Sequence, residues 1–321
     1  MSANDAREIL SNLGEASRQQ ILEQLRSGPK SVSLLVRATG LKQPNVSNHL
    51  AKMRKRGIVE AQKRGRQVIY SLADPLVSIM LHAVSAAEPA ATEISPEQIA
   101  EWRERYYAAA RSGAETDAAE VIGECLRRRL PLQDIHVEII QRSLERIGED
   151  YVAGEITEAD EHIATELTQR VLGHASAFVP SKPANGRVAV VGCVAGNRHS
   201  LGPRMIADLL IHEGWTVLFT GADTPTPSFL DVVRRNRPQA VVLSCAVAEC
   251  AEAARDLVER LRELRSGTQG WPFVIAVGGG YVNCEPEAAQ AWGADFTAHD
   301  ARGLSDKLTD LLPTVSWRAW G

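Results

Sequence analysis

The chain of 321 residues reads as a multidomain protein of mixed class, α followed by α/β. Three observations predict this. Basic charge is concentrated in the first 72 residues, residues 96–178 carry helical periodicity with little strand character, and residues 187–312 alternate short apolar strands with helices. The length exceeds what one small core needs, so several domains are expected. Residues 1–72 hold 13 Lys and Arg against 5 Asp and Glu, a net +8; the remainder holds 23 against 35, a net −12, so the overall −4 conceals a basic end on an acidic body. That segregation fits nucleic-acid binding at one end only. No apolar run is long enough to span a bilayer and the start lacks a charged-then-apolar leader, so a soluble, cytoplasmic chain with no membrane partner is expected. The five cysteines are an odd number without C-x-x-C spacing. Buried free thiols at Cys125, Cys193, Cys245, Cys250 and Cys284 are therefore expected, not disulfides or a zinc site.

The first domain is expected over 1–85. Ile9, Leu10 and Leu13 form one apolar helical stripe, and Ile21, Leu22 and Leu25 the next, which Gly28-Pro29 stops. Ser31 is placed to cap a third helix through Leu34, Leu35 and Ala38 to Gly40. A fourth opens at Gln43-Pro44, where proline is tolerated, and buries Val46, Leu50 and Met53 before Gly57 ends it. Ile58 to Ala61, the basic turn Lys63-Arg64-Gly65-Arg66, and Gln67 to Leu72 then read as a β-hairpin. Helix, turn, helix and basic hairpin make a winged helix-turn-helix. The fourth helix offers Gln43, Asn45, Ser47 and Asn48 to base edges and phosphates of a major groove, while Lys52, Arg64 and Arg66 suit phosphates or the minor groove. A solvated face is the ordinary reading of any one of these residues; the set, with its charge, points to double-stranded DNA. His49 reads as a packing residue more readily than as a base reader.

Ser47-Asn48-His49-Leu50, followed by the R-x-x-G-I-V-E run ending at Glu60, resembles the ArsR family of bacterial repressors over about residues 4–82. The resemblance implies a homo-oligomer, a dimer or tetramer paired through its terminal helices, one of them read here over Pro75 to Val84, and a palindromic operator. Relatives that sense metals carry cysteines on the third helix; here Ser31 to Val36 holds none, so the signal is expected elsewhere. Ala86 to Pro96 reads as a linker.

Residues 96–178 read as a second domain, a four-helix bundle with helices near 97–112, 115–128, 131–150 and 157–177. Within it, Tyr151 precedes Glu161-His162 by a fixed interval. This stretch resembles the helical cap of corrinoid proteins, in particular the CarH/LitR-type B12-dependent, light-responsive regulators. There an aromatic residue, usually tryptophan, and the glutamate cover the upper face of the corrin. Two departures stand out: Tyr151 replaces tryptophan, and Val152 stands where light sensors of the family carry a histidine. Taken alone, Glu161-His162 also reads as a helix-surface pair.

The third domain, 186–313, follows a second linker at 179–186. Strands near 187–193, 215–220, 239–245, 273–277 and 294–297 alternate with helices near 203–213, 227–236, 249–265, 285–292 and 302–312. That is a flavodoxin-like, Rossmann-like sheet of five parallel strands. The loop after its first strand has no G-x-G-x-x-G, and the chain no G-K-[ST], which removes Walker-type phosphate binding and argues against dinucleotide binding. Three stretches instead resemble the cobalamin-binding family: Asn197-Arg198-His199-Ser200-Leu201-Gly202, Ser244-Cys245-Ala246 and Gly278-Gly279-Gly280. The resemblance implies His199 as lower axial ligand of cobalt, displacing the cofactor's own base, with Ser244, Ala246 and the glycines along the nucleotide tail. Neutral imidazole suits that metal. Asn197 stands where the family carries an acidic residue, so a less basic imidazole and a weaker cobalt bond are expected.

Together the resemblances imply a non-enzymatic regulator with adenosylcobalamin or methylcobalamin clamped between bundle and sheet, and DNA binding switched by cofactor state, light included. Two other readings stay open on the residues alone: a haem or other tetrapyrrole sensor on the same scaffold, and a corrinoid methyl carrier, which has no use for a basic head.

Overall fold

The computed structural model describes residues 16–65, 67–73, 77, 94–176, 179, 181–268 and 270–312. The stripe of Ile9, Leu10 and Leu13, the wing residue Arg66, the helix read over Pro75 to Val84 except Val77, and residues 86–93 of the first linker lie outside these. The chain divides into two compact units, one of residues 1–131 and 138–178, the other of 132–137 and 179–321.

In the first unit, α1 (Ala16–Arg26) buries Ile21, Leu22 and Leu25. A two-residue strand β1 (Lys30–Ser31) precedes α2 (Val32–Thr39), whose first turn is capped by Ser31 Oγ accepting from Leu34 N at 3.3 Å. Gly40, at φ +70°, closes α2 through its N–H to the Val36 carbonyl. Helix α3 (Gln43–Lys55) carries Pro44 in its first turn and buries Val46, Leu50 and Met53, as the i, i+4, i+7 spacing requires. Strands β2 (Val59–Arg64) and β3 (Gln67–Leu72) form the hairpin, and the sheet order is β1-β3-β2. Two details differ from the sequence reading. Lys63 and Arg64 belong to β2, paired with Val68 and Gln67, so the wing turn is tighter than the basic tetrapeptide. The strand β1 was not anticipated, because two residues are too few to show a period.

The bundle of the same unit comprises α4 (Pro96–Arg111), α5 (Glu115–Arg127), α7 (Arg142–Val152) and α8 (Glu158–Ala175). Ser95 caps α4, and Thr157 with Asp160 forms a reciprocal capping box on α8. Trp102 and Tyr106 fill the core. Their polar atoms are met there: Trp102 Nε1 donates to Glu124 Oε2 at 3.1 Å, and Tyr106 OH to Thr168 Oγ1 at 3.1 Å.

The third bundle helix is not continuous. A single turn α6 (Leu132–Asp134) passes into a π-helical stretch, Ile135–Gln141, before α7 begins. Residues 132–137 belong to the second unit. There Leu132 packs with Leu209 and Ala301, and Asp134 pairs with Arg302. His136 is wholly buried in this unit; burial, and secondarily neighbouring His212, push its pKa down to about 3, against the opposing Met205 backbone. A π-turn inserts a residue into the helical ladder and frequently marks a functional position.

The second unit is the parallel sheet: β4 (Val188–Cys193), β5 (Thr216–Gly221), β6 (Ala240–Ser244), β7 (Val274–Gly278) and β8 (Phe296–Thr297), in the order β5-β4-β6-β7-β8. That is the doubly wound order expected. Strands β4 and β6 are almost wholly buried apolar runs, as strands covered on both faces must be. The helices are α9 (Leu201–His212), α10 (Thr226–Asn236), α11 (Ala251–Ser266), α12 (Gly280–Cys284), α13 (Pro286–Trp292) and α14 (Ala301–Leu311). The short α12 was not foreseen, since it begins on the glycine run. The segment read as a second linker is anchored: Lys182 N donates to the His212 carbonyl at 2.7 Å and Asn185 N to that of Gly214 at 2.9 Å.

Candidate ligand-binding loop and nucleic-acid face

Strand order places the carboxyl ends of β4 and β6 side by side at the switch point, where such sheets bind ligands. In register, Cys193 pairs with Ser244, and Ser244 with Gly278. The three sequence stretches singled out above are thereby brought to one edge of one sheet.

The loop between β4 and α9 is built around Asn197, which is fully buried. Its Nδ2 donates to the Ser244 carbonyl at 2.8 Å and approaches Ser244 Oγ at 3.4 Å. That commitment turns Oδ1 toward His199, where it accepts from the backbone N at 3.1 Å and meets ring Nδ1 at 3.3 Å. An amide oxygen only accepts, so in the neutral form of the ring this contact places the proton on Nδ1 and leaves the lone pair on Nε2. His199 and Arg198 are exposed, Ser200 is half-buried and Leu201 is buried. The loop thus presents an exposed ring whose orientation is held by a neighbouring side chain.

Cys193, which sequence reasoning left as a bland thiol, lies beneath the loop with its Sγ 3.6 Å from the His199 carbonyl oxygen. Burial, and secondarily Cys250, push its pKa up to about 12, and Cys245 likewise to about 11. These thiols stay protonated and are poor metal ligands. No sequence signal marks that contact, because it runs to a backbone atom.

The glycines divide into two kinds. A Cβ at Gly279 would stand 2.5 Å from the Cys245 carbonyl oxygen, one at Gly280 2.9 Å from that of Ala246, and one at Gly278 2.9 Å from that of Ala298. What approaches them is the neighbouring loop's backbone, so the protein itself demands these glycines. A Cβ at Gly202 would meet nothing within 4 Å. Packing does not demand glycine at the start of α9. An exposed imidazole oriented by a buried amide is a donor that fits the cobalt of a corrinoid.

On the first unit, Tyr151 at the end of α7 is 45% exposed and Val152 is 86% exposed. Glu161 lies in the first turn of α8 and His162 follows it. Glu161 Oε1 accepts from Thr165 Oγ1 at 2.9 Å, and His162 Nε2 is 3.8 Å from carboxylate oxygens of both Glu158 and Glu161. In the head, Gln43, Asn45, Ser47, Asn48 and Lys52 are all exposed on α3, and Arg64 is exposed on β2, its Nε donating to Gln62 Oε1 at 3.0 Å. Val46, Leu50 and Met53 hold the opposite face in the core. His49 is half-buried, between these two faces.

Residues 16–61 match the arsR family of bacterial regulatory proteins, and residues 102–176 and 187–303 each match a B12 binding domain. The chain joins an arsR-family domain to B12-binding domains. It is 28% identical to the HTH-type transcriptional repressor CarH of Myxococcus xanthus, over 57% of this chain and 61% of that protein. It is 42% identical to the HTH-type transcriptional regulator NmtR of Mycobacterium tuberculosis, over 22% of this chain and 60% of that protein. The chain thus spans about three-fifths of the length of each regulator. The monomethylamine corrinoid protein of Methanosarcina barkeri superposes with a TM-score of 0.58 at 17% identity, over 66% of this chain and 99% of that one. That likeness shows the fold alone. Among the described residues, no helix is long and apolar enough to cross a membrane.

Proposed function

We propose that the chain is a cobalamin-dependent, DNA-binding transcriptional regulator that acts by binding and not by catalysis. The observation that carries the reading is the His199 ring, exposed and held by Asn197 with Nε2 as the available nitrogen, in a chain whose head matches the arsR family. His199 would hold the cobalt. Asn197 holds its tautomer, Ser244 holds Asn197, and Arg198, Ser200, Leu201, Gly202, Ala246 and Gly278 to Gly280 border the cofactor. Tyr151, Glu161 and His162 of the bundle are assigned to cofactor binding from the resemblance alone. Adenosylcobalamin or methylcobalamin would supply a cobalt–carbon bond that light can break.

The head reads DNA through Gln43, Asn45, Ser47 and Asn48, with Lys52, Arg64 and Arg66 on phosphates, as a homo-oligomer on a palindromic operator. An effector changes operator affinity only as far as it binds the two protein states differently. The test is a gel-shift series with the full chain: without cofactor, with adenosylcobalamin in darkness, and with the same sample after green light. The reading expects the cofactor to change the retarded fraction, and illumination to reverse that change. Equal retardation in all three removes the sensor.

A further inference from the structure

We propose that Asp223 is a positioning residue for the imidazole of His199, an assignment that rests on His199 as the cobalt ligand. Among the described residues, three that are not glycine have positive φ: Arg129 at 59°, Asp223 at 46° and Arg237 at 42°. Arg129 and Arg237 each follow a helix, where a left-handed residue closes the last turn. Asp223 follows strand β5, is exposed, and has neither helix closure nor core packing to account for its backbone.

Its bonds account for it. Asp223 Oδ1 accepts from Gly196 N at 2.6 Å, and Asp223 N donates to the Asn197 carbonyl at 2.8 Å. The two bonds run in opposite directions across one gap, fastening residue 223 to two consecutive residues of the His199 loop. Gly196 itself lies at φ +81° and has no Cβ, so it is the least restrained link between β4 and Asn197. The carboxylate removes that freedom at its source. Asn197 then starts from a fixed backbone, its amide bridges Ser244 and the ring, and Cys193 meets the His199 carbonyl from below. Aspartate meets both demands, being tolerated in the left-handed region and carrying an anionic acceptor.

The test uses the full chain with 15N-labelled histidine, the His199 ring signals being identified by their loss in His199→Ala. Asp223→Gly relieves the backbone and deletes the acceptor. Asp223→Ala deletes the acceptor and keeps the strain. Asp223→Asn keeps an acceptor oxygen and tolerates the backbone. Without cofactor, the ring nitrogens of the wild type should report one tautomer, protonated on Nδ1. Asp223→Gly and Asp223→Ala should average the two tautomers, and Asp223→Asn should restore the wild-type signal. With hydroxocobalamin, loss of the acceptor should weaken binding by about tenfold, as for other residues that orient metal ligands. Wild-type ring signals in Asp223→Gly overturn the proposal, as does a change confined to Asp223→Ala, which assigns the effect to strain. If wild-type protein takes up no cobalamin, the reading of His199 as cobalt ligand fails, and the ring signals still decide what Asp223 does.

Discussion

Replacing Asn197 by alanine strips the loop of its pivot. The side chain makes two bonds to Ser244, at 2.8 and 3.4 Å, and two to His199, at 3.1 and 3.3 Å, from a position with no exposure. The Ser244 carbonyl retains the N–H of Val194 at 3.2 Å, so truncation leaves the His199 N–H and ring as the principal groups without their partner. At about 1 kcal/mol per hydrogen bond, the loss amounts to roughly 2–3 kcal/mol. For a unit of this size that lowers the melting temperature by roughly 5–10 °C. Freed of its acceptor, the ring samples both tautomers and orientations, and loss of such a partner weakens metal binding by about 10–100-fold. The assay is a visible-absorbance titration of apoprotein with hydroxocobalamin, beside a melting curve. Affinity within twofold of wild type in Asn197→Ala, with the melting temperature lowered, would make Asn197 a packing residue and refute the argument.

Other expectations follow from single groups. His136 is buried neutral with a pKa of about 3. Its unfolded counterpart takes up a proton below about 6.5, so stability is full above that value and falls by about 2 kcal/mol between pH 7 and pH 5. Denaturant curves at the two pH values should show that fall, and His136→Phe should remove it; an unchanged difference assigns the slope to other groups. In the head, Lys52→Ala or Arg64→Ala should weaken DNA binding on every sequence alike and reduce the slope of log K against log salt by about 1. Asn45→Ala should weaken the operator alone and leave that slope in place. Fluorescence anisotropy over a salt series separates the two, and equal slopes for all variants would place the basic residues off the phosphates.

Much of the architecture was legible because periodicity is a local property. Val46, Leu50 and Met53 announce the buried face of α3, Ser31 and Gly40 the limits of α2, and the apolar runs around Val190 and Val242 a sheet covered on both sides. The π-turn over Ile135–Gln141 was not legible, because its extra residue leaves the apolar spacing close to that of an ordinary helix. The tight wing turn escaped because Lys63 and Arg64 read as turn residues by composition yet pair across the hairpin. At the candidate site, the resemblance singled out His199, Asn197 and Ser244, which the structure brings together. It did not reveal that Gly278 to Gly280 make room for the loop at 245–246 and for Ala298, or that Cys193 and Asp223 hold the His199 loop. Those contacts run to backbone atoms, which leave no pattern of side-chain types.

The central claim is that a nitrogen of His199, not one belonging to the cofactor, reaches cobalt. Electron paramagnetic resonance of the cob(II)alamin-loaded full chain, made with 15N-histidine and natural-abundance cofactor, tests it directly. The account predicts that the axial-nitrogen triplet seen with unlabelled protein becomes a doublet on labelling, and that the doublet is absent in His199→Ala. A triplet that persists in the labelled protein would mean that the cofactor keeps its own base, and would contradict the account.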